Sequence, residues 1–108
     1  MQHVDLNQTH WFSLNLMEQM ANIGSEIERT IKWNSKHNRE YADMANNRAL
    51  ELFDLTMSDK KNKTGLKEIA RARELWLDFF VGDNQFGQTE NQWHKYFLGF
   101  NIAARALV

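Results

Sequence analysis

The apolar residues of this chain recur at intervals of three and four positions, in four blocks separated by polar breaks. In the first block, about residues 9–33, the apolar stripe consists of Leu16, Met20, Ile23, Ile27 and Ile31. Away from that stripe lie the polar residues Glu18, Gln19, Glu26 and Arg29. An α-helix has about 3.6 residues per turn, so this spacing gathers the apolar side chains on one face. The block predicts a long amphipathic helix, before which residues 1–8 could form a flexible N-terminal arm.

Three further blocks have the same periodicity and predict helices over about residues 35–57, 65–81 and 90–107. The expected core face of the second helix consists of Tyr41, Met44, Ala45, Ala49, Leu52, Leu55 and Thr56. The chain has no proline, so no helix is interrupted by a missing N–H. Four amphipathic helices joined by short links favour an all-α fold, an antiparallel up-and-down four-helix bundle in a single domain over residues 1–108.

Polar residues and glycines separate the four blocks. Residues 34–38 could form a short turn, and a continuous helix that bends there is the alternative. Thr64 is suited to cap the third helix, and Gly82 to end it in a left-handed conformation. Thr89 and Gln92 match a capping box at the start of the fourth helix. Gly24 borders the first apolar stripe and could let a neighbouring helix approach closely.

Composition narrows the class of protein further. The chain has 108 residues, 43% apolar and 25% charged, and a net charge of −1. These values are ordinary for a globular domain and argue against a general polyanion binder. The absence of cysteine excludes disulfides and thiolate metal sites. No apolar run approaches the roughly 20 residues of a membrane span, and the N-terminus does not resemble a signal peptide. We therefore expect a cytoplasmic protein that does not contact membranes.

Two arginines lie where a packed helix would place leucine. Arg48 falls on the apolar face of the second helix, and Arg73 on that of the third. An unpaired buried guanidinium is costly, so each needs a partner. The candidate partners are the acids Glu51, Glu74, Asp78 and Glu28 and the neutral residues Tyr41, Tyr96 and Asn101. The pattern favours structural ion pairs; the alternatives are an anion site on which both arginines converge and a subunit interface.

Residues able to ligate a metal or perform catalysis are sparse. The four histidines, at positions 3, 10, 37 and 94, include no pair at helical spacing. Carboxylate-bridged di-iron bundles need two Glu-x-x-His motifs, and the sequence has none. Signatures of serine nucleophiles, P-loops and dinucleotide sites are absent as well. We expect no metal, no cofactor and no enzymatic activity.

A basic stretch follows the second helix. It contains Lys60, Lys61, Lys63, Lys67 and Arg71. Lysines just past a helix C-terminus complement its dipole, and the lysine loop has no interleaved aromatic residue for base stacking. Binding of an anion or a nucleic acid through this stretch, together with Arg48 and Arg73, is therefore the second hypothesis.

The expected bundle resembles the small prokaryotic HEPN domains, some of which are ribonucleases or toxin partners. Active members of that family carry an arginine followed four to six residues later by a histidine. No arginine of this chain is followed by a histidine at that distance; Arg29 and His37 are too far apart. The resemblance implies an architecture and no activity.

Some apolar residues exceed what one core requires. They are Leu75, Phe79, Phe86, Leu98 and Ile102. Apolar side chains grouped on a surface indicate a binding site for another protein, and twofold homodimers are the commonest soluble oligomers. The leading hypothesis is a non-enzymatic protein–protein interaction or regulatory module that forms a homodimer.

Overall fold

The computed structural model describes residues 4–106, with side chains from residue 8 onward, and every regular element in this range is helical. The elements are α1 (Val4–Ser13), α2 (Leu16–Ser35), α3 (Arg39–Ser58), a 3₁₀ helix (Lys60–Gly65), α4 (Leu66–Phe80) and α5 (Glu90–Ala106). The predicted all-α class is confirmed. Leu107, at the end of the predicted fourth helix, and residues 1–3 of the predicted arm lie outside the described residues. Within the described range, no helix is both long and apolar enough to cross a membrane.

The prediction of one long first helix is wrong, because this segment forms two helices. α1 ends at Ser13 and α2 begins at Leu16, after Asn15. The Asn15 side chain accepts a hydrogen bond from the Glu18 amide at 2.9 Å, and the Glu18 carboxylate accepts one from the Asn15 amide at 3.0 Å. This capping box satisfies backbone donors at a helix start and so favours a new helix here. Residues 4–8 of the predicted arm belong to α1.

α2 has neighbours on several sides, with α3 and α5 packed along it. The predicted stripe is buried, since Met20, Ile23 and Ile27 are at most 1% exposed. Gln19 and Glu26, predicted on the polar face, are buried as well. A single apolar stripe underestimates the buried surface of a helix that is covered on more than one side.

α2 and α5 approach each other closely at Gly24, as predicted. A Cβ atom added to Gly24 would lie 2.8 Å from the Cβ of Phe97, closer than two carbon atoms can pack. The glycine therefore sets the distance between the two helices.

α3 buries a face that is shifted around the helix from the predicted one and shares Ala45, Ala49 and Thr56 with it. Its buried residues are Ala42, Ala45, Asn46, Ala49, Phe53 and Thr56. Tyr41 and Met44, predicted in the core, are 48% and 58% exposed. Alanines let α3 pack closely, and Asn46 is held inside because its Oδ1 accepts a hydrogen bond from Trp76 Nε1 at 2.7 Å. The buried face is therefore turned away from Arg48.

The connections confirm some predictions and correct others. The predicted short turn separates α2 from α3, and the capping box of α5 is present, with the Thr89 amide donating to Gln92 Oε1 at 2.8 Å.

Thr64 does not cap α4, because the 3₁₀ helix runs directly into it and Gly65 occupies the cap position. Gly82 is not left-handed; Gly87, with φ of 64°, has that conformation in the same loop.

Aromatic side chains join α4 to α5. Trp76 is fully buried and meets Trp93 edge to face, with ring centroids 5.5 Å apart and 88° between the planes. Trp76 also stacks on Phe80, and Trp93 on Phe97. Aromatic pairs in these geometries add to the stabilisation that comes from buried area.

Candidate functional site

Glu26 holds two arginines at the boundary between α2 and α3. Its Oε2 lies 3.0 Å from Nη1 of Arg29 and 3.4 Å from Nε of Arg48. The Glu26 side chain is 8% exposed, whereas those of Arg29 and Arg48 are 62% and 70% exposed. The prediction placed Glu26 outside and Arg48 inside, and both placements are wrong. Arg48 lies outside because α3 turns its alanines toward α2, and Arg48 is about 100° around the helix from Ala49.

These three residues line a cleft of about 630 Å³ between α1, α2 and α3. Its apolar wall contains Trp11, Leu52 and Leu55, and His10, Glu51 and Asp54 lie along it as well. Glu26 Oε1 is buried and has no hydrogen-bond partner within the described part of the chain. A buried oxygen without a donor costs free energy, so the position of Glu26 does not follow from the stability of the fold alone.

Arg73 does not line this cleft but pairs with Asp54, which does. Its Nη2 donates a hydrogen bond to Asp54 Oδ2 at 3.4 Å, and its Nε lies 3.0 Å from Asp54 Oδ1. The buried Nε–H is not aimed at an acceptor among the described residues, so the shorter contact is an ion pair rather than a hydrogen bond. The side chain is 28% exposed, which makes it half-buried. Arg48 and Arg73 line different cavities, and the structure does not bring these two predicted anion ligands together.

The acids predicted to pair with the arginines have other positions. Glu74 lies 3.5 Å from Arg71 on the surface of α4. Glu51 shares the cleft with Arg48, but the contact of 3.4 Å is made by Glu26. Both true partners come from a neighbouring helix, and such pairs are set by tertiary packing that a single-helix pattern does not contain.

The two tyrosines predicted as neutral partners do not contact either arginine. Tyr41 meets Trp33 edge to face at 5.0 Å. The Tyr96 hydroxyl donates a hydrogen bond to Glu68 Oε2 at 3.1 Å. Burial raises the pKa of Tyr96 above its ordinary value of 10.0, and the Glu68 charge and hydrogen bond add to the increase.

The predicted basic stretch is spread over several environments. Lys61 Nζ binds the Asp59 carboxylate and donates to the Phe12 carbonyl oxygen at 2.9 Å. The Arg71 guanidinium lies over the Phe86 ring, 5.1 Å from its centroid. The remaining members, Lys60, Lys63 and Lys67, are exposed. Two of the five cations are thus engaged by groups of the chain itself, which leaves a weaker patch than the sequence suggests.

Sequence reasoning missed a buried network of hydrogen bonds that joins α1, α2, α3 and the 3₁₀ helix. Gln19 Nε2 donates to the Trp11 carbonyl at 3.0 Å and to Asp59 Oδ2 at 2.9 Å. Asn62 Nδ2 donates to Gln19 Oε1 at 2.7 Å, and Trp11 Nε1 donates to Thr56 Oγ1 at 3.0 Å. No signal in the apolar periodicity marks these polar residues as buried.

Asp59 is the ionised member of this network and is 9% exposed. Burial alone would raise the pKa of its carboxyl group. Hydrogen bonds from the Lys61 side chain, from Gln19 and from the Lys61 amide, together with the lysine charge, outweigh burial and hold the pKa below the ordinary 3.8. Because these partners belong to the chain itself, the network stabilises the fold.

The outer face of α5 is the main exposed apolar surface among the predicted partner residues. Leu98 is 55% and Ile102 59% exposed. Phe86, in the loop before α5, is 50% exposed. Leu75 and Phe79 are half-buried and pack against the core, so they do not form the free surface that was predicted.

His94 joins α5 to α2 through Glu28, with 2.6 Å between Nδ1 and Oε2. Ser25 lines the same groove, but its hydroxyl donates to the Ala21 carbonyl at 3.4 Å rather than to the imidazole. The three residues therefore do not form an activated nucleophile. Among the described side chains, residues 8–106, no group of three or more His, Asp or Glu lies close enough to hold a metal ion.

No family model matches the chain, and comparisons with curated proteins and with solved structures gave no match either.

Proposed function

We propose that the protein is a non-enzymatic, cytoplasmic protein–protein interaction module that forms a homodimer through α5. In this proposal α2–α5 make an antiparallel up-and-down four-helix bundle, and α5 presents its outer face to a second copy. The proposal depends chiefly on the exposure of Leu98 and Ile102, at 55% and 59%. Large apolar side chains four residues apart on the exposed side of a helix are typical of a docking face.

Charges at the two ends of α5 favour a second copy as the occupant of this face. At about 100° per residue, the stripe centred on Leu98 also carries His94, Ile102 and Arg105. If two copies of α5 pair antiparallel about a twofold axis at Leu98, Arg105 lies opposite Asn91 of the partner subunit. Glu90 of the partner subunit, one position earlier and about 80° from the centre of the stripe, is then within reach of the long Arg105 side chain. Opposite charges then meet at both ends, and leucine meets leucine at the centre.

Charge reversal tests this pairing. Glu90→Lys and Arg105→Glu each place like charges opposite one another, and each should weaken dimerisation by about fivefold. The double variant restores opposite charges and should recover most of the loss. Sedimentation equilibrium over the micromolar range measures the dissociation constants. Failure of the double variant to recover would rule out the antiparallel arrangement.

Ile102→Glu tests the apolar part of the face. The substitution places a charge in the interface and should give a monomer where the wild type is a dimer. Val81→Glu is the matched control, because Val81 is also 59% exposed but lies outside α5. A wild-type mass of one chain at high micromolar concentration would contradict the proposal.

A further inference from the structure

We infer that the cleft between α1, α2 and α3 binds a small amphipathic oxyanion, a carboxylate or phosphate on an apolar body, through Arg29 and Arg48, which Glu26 positions. The cleft includes no residue of α5, so this inference does not depend on the proposed homodimer.

Arg29 and Arg48 come from different helices and meet at one oxygen atom. Both guanidinium groups have a nitrogen within 3.4 Å of Glu26 Oε2, so the two groups are neighbours. Each guanidinium has five N–H donors, of which one carboxylate oxygen engages only a small part. Because the two side chains are 62% and 70% exposed, the remaining donors are accessible to an anion. Paired guanidinium groups match the geometry of carboxylate and phosphate oxygens.

Glu26 supports the two arginines rather than contacting the ligand. Its Oε1 is buried and accepts no hydrogen bond from the described residues, so a cationic ligand cannot reach that oxygen. Because both arginines are exposed, their ion pairs with Glu26 add little to the stability of the fold. Fixing two exposed arginines before binding does have a use, because a preorganised site loses less entropy when the ligand arrives.

The wall of the cleft defines the other end of the ligand. Trp11, Leu52 and Leu55 provide apolar surface, and the volume of about 630 Å³ suits a small molecule. The Trp11 indole is held by its hydrogen bond to Thr56 at 3.0 Å, so this wall is fixed. A flat apolar group against the indole, with its anionic end at the arginines, satisfies both parts of the site.

Two acids in the cleft affect its preference for charge. Asp54 is compensated by Arg73 at 3.0 Å. Glu51 lies in the cleft with Arg48, and its carboxylate opposes the binding of an anion. Glu51→Gln should therefore strengthen the binding of an anion and weaken that of a cation, which makes it a test of the sign of the ligand.

Four naphthalene probes separate the contributions of charge and apolar body: 1-naphthoate, 1-naphthyl phosphate, the neutral 1-naphthamide and 1-naphthylmethylammonium. NMR titration follows the Trp11 indole N–H and the Nε–H groups of Arg29 and Arg48. At least one of the two anions should shift all three signals, and the amide should bind about tenfold more weakly or worse. Comparison of the naphthoate with the phosphate ester identifies the preferred oxyanion.

Variants locate the site. Arg29→Gln and Arg48→Gln should each reduce affinity for the anion by about tenfold, and Glu51→Gln should increase it by severalfold. Arg39→Gln is the matched control, because Arg39 is 56% exposed and pairs with Asp43 at 2.9 Å outside the cleft. The inference is overturned if neither anion binds at millimolar concentration, if Arg39→Gln weakens binding equally, or if the ammonium probe binds best and Glu51→Gln weakens it.

Discussion

Gln19 connects three segments of the chain through one side chain. Its amide group bonds a carbonyl of α1, the carboxylate of Asp59 and the amide of Asn62. A buried hydrogen bond of this kind contributes modestly when formed but is costly to break, because the partner left behind remains desolvated. At the scale of single residues, stability therefore depends on polar side chains as well as on the apolar core.

Asp59 should make stability depend on pH in the acid range. Its pKa in the fold lies below 3.8, so on acidification the unfolded chain takes up the proton first. The stabilisation is present above the unfolded value and is lost as pH falls through the folded value. Asp59→Asn should lower the free energy of unfolding at neutral pH by about 1–2 kcal/mol.

Urea denaturation from neutral pH down to about pH 2 measures the difference between this variant and the wild type. The difference should shrink as the wild-type carboxyl group becomes protonated. Asp43→Asn is the control, because Asp43 pairs with Arg39 on the surface and contributes little. A constant difference at every pH would show that the charge of Asp59 has no part in its effect.

The hydrogen bond between Asn46 and Trp76 provides a second test. Asn46→Ala removes the acceptor of the buried indole N–H and should cost about 1–3 kcal/mol. The adjacent Asn47 is exposed, so Asn47→Ala should change the free energy of unfolding by no more than about 0.5 kcal/mol. Chemical denaturation measures the free energy of unfolding of both variants. Equal values would show that this hydrogen bond does not stabilise the packing of α3.

At the scale of helices, positions and ends were predictable where the signal is local. The spans of α4 and α5 follow from periodicity, and the capping box of Thr89 and Gln92 from two residue types. The division between α1 and α2 was missed, although Asn15 and Glu18 carry the same kind of local signal. Only half of the buried face of α3 was found from periodicity: Ala45, Ala49 and Thr56 were predicted, and Ala42, Asn46 and Phe53 were missed. Which side of α3 is buried depends on the neighbouring helices, and its alanines and asparagine give only a weak apolar signal.

Two glycines within helices should respond oppositely to the same substitution. Gly24→Ala places a methyl group 2.8 Å from Phe97 Cβ, which forces α2 and α5 apart and should cost about 1–3 kcal/mol. The methyl group of Gly99→Ala meets no atom of another described helix within 4 Å and should stabilise α5 by up to about 1 kcal/mol. Thermal denaturation distinguishes them. Stabilisation in both variants would mean that the contact between α2 and α5 is looser than its geometry indicates.

At the scale of the whole molecule, the sequence indicated an unusual arginine but not its partner. Arg48 stood out because it interrupts an apolar pattern, whereas Glu26 looked like an ordinary surface acid. Arg29 and Glu26 are three residues apart in α2, but Arg48 joins them only after α2 and α3 pack side by side, and no local pattern contains that contact. Arg73 was also noticed; it pairs with Asp54 of the cleft but itself lines a different cavity.

The two proposed surfaces should act independently, because one belongs to α5 and the other to α1, α2 and α3. Ile102→Glu should leave the affinity for the naphthalene anion unchanged, and Arg48→Gln should leave the dissociation constant of the dimer unchanged, each within about twofold. Titration and sedimentation of both variants provide the four measurements. An effect of either variant on the other property would show that the surfaces are coupled through α2.

The perpendicular contact between Trp76 and Trp93 has an optical consequence. Two indoles this close, with centroids 5.5 Å apart, couple their electronic transitions and add a circular-dichroism band that the peptide backbone does not produce. The band depends on the mutual orientation of the two rings, and hence on how α4 and α5 are docked. Its loss on heating therefore reports the separation of these helices independently of the loss of helical backbone, without any added label.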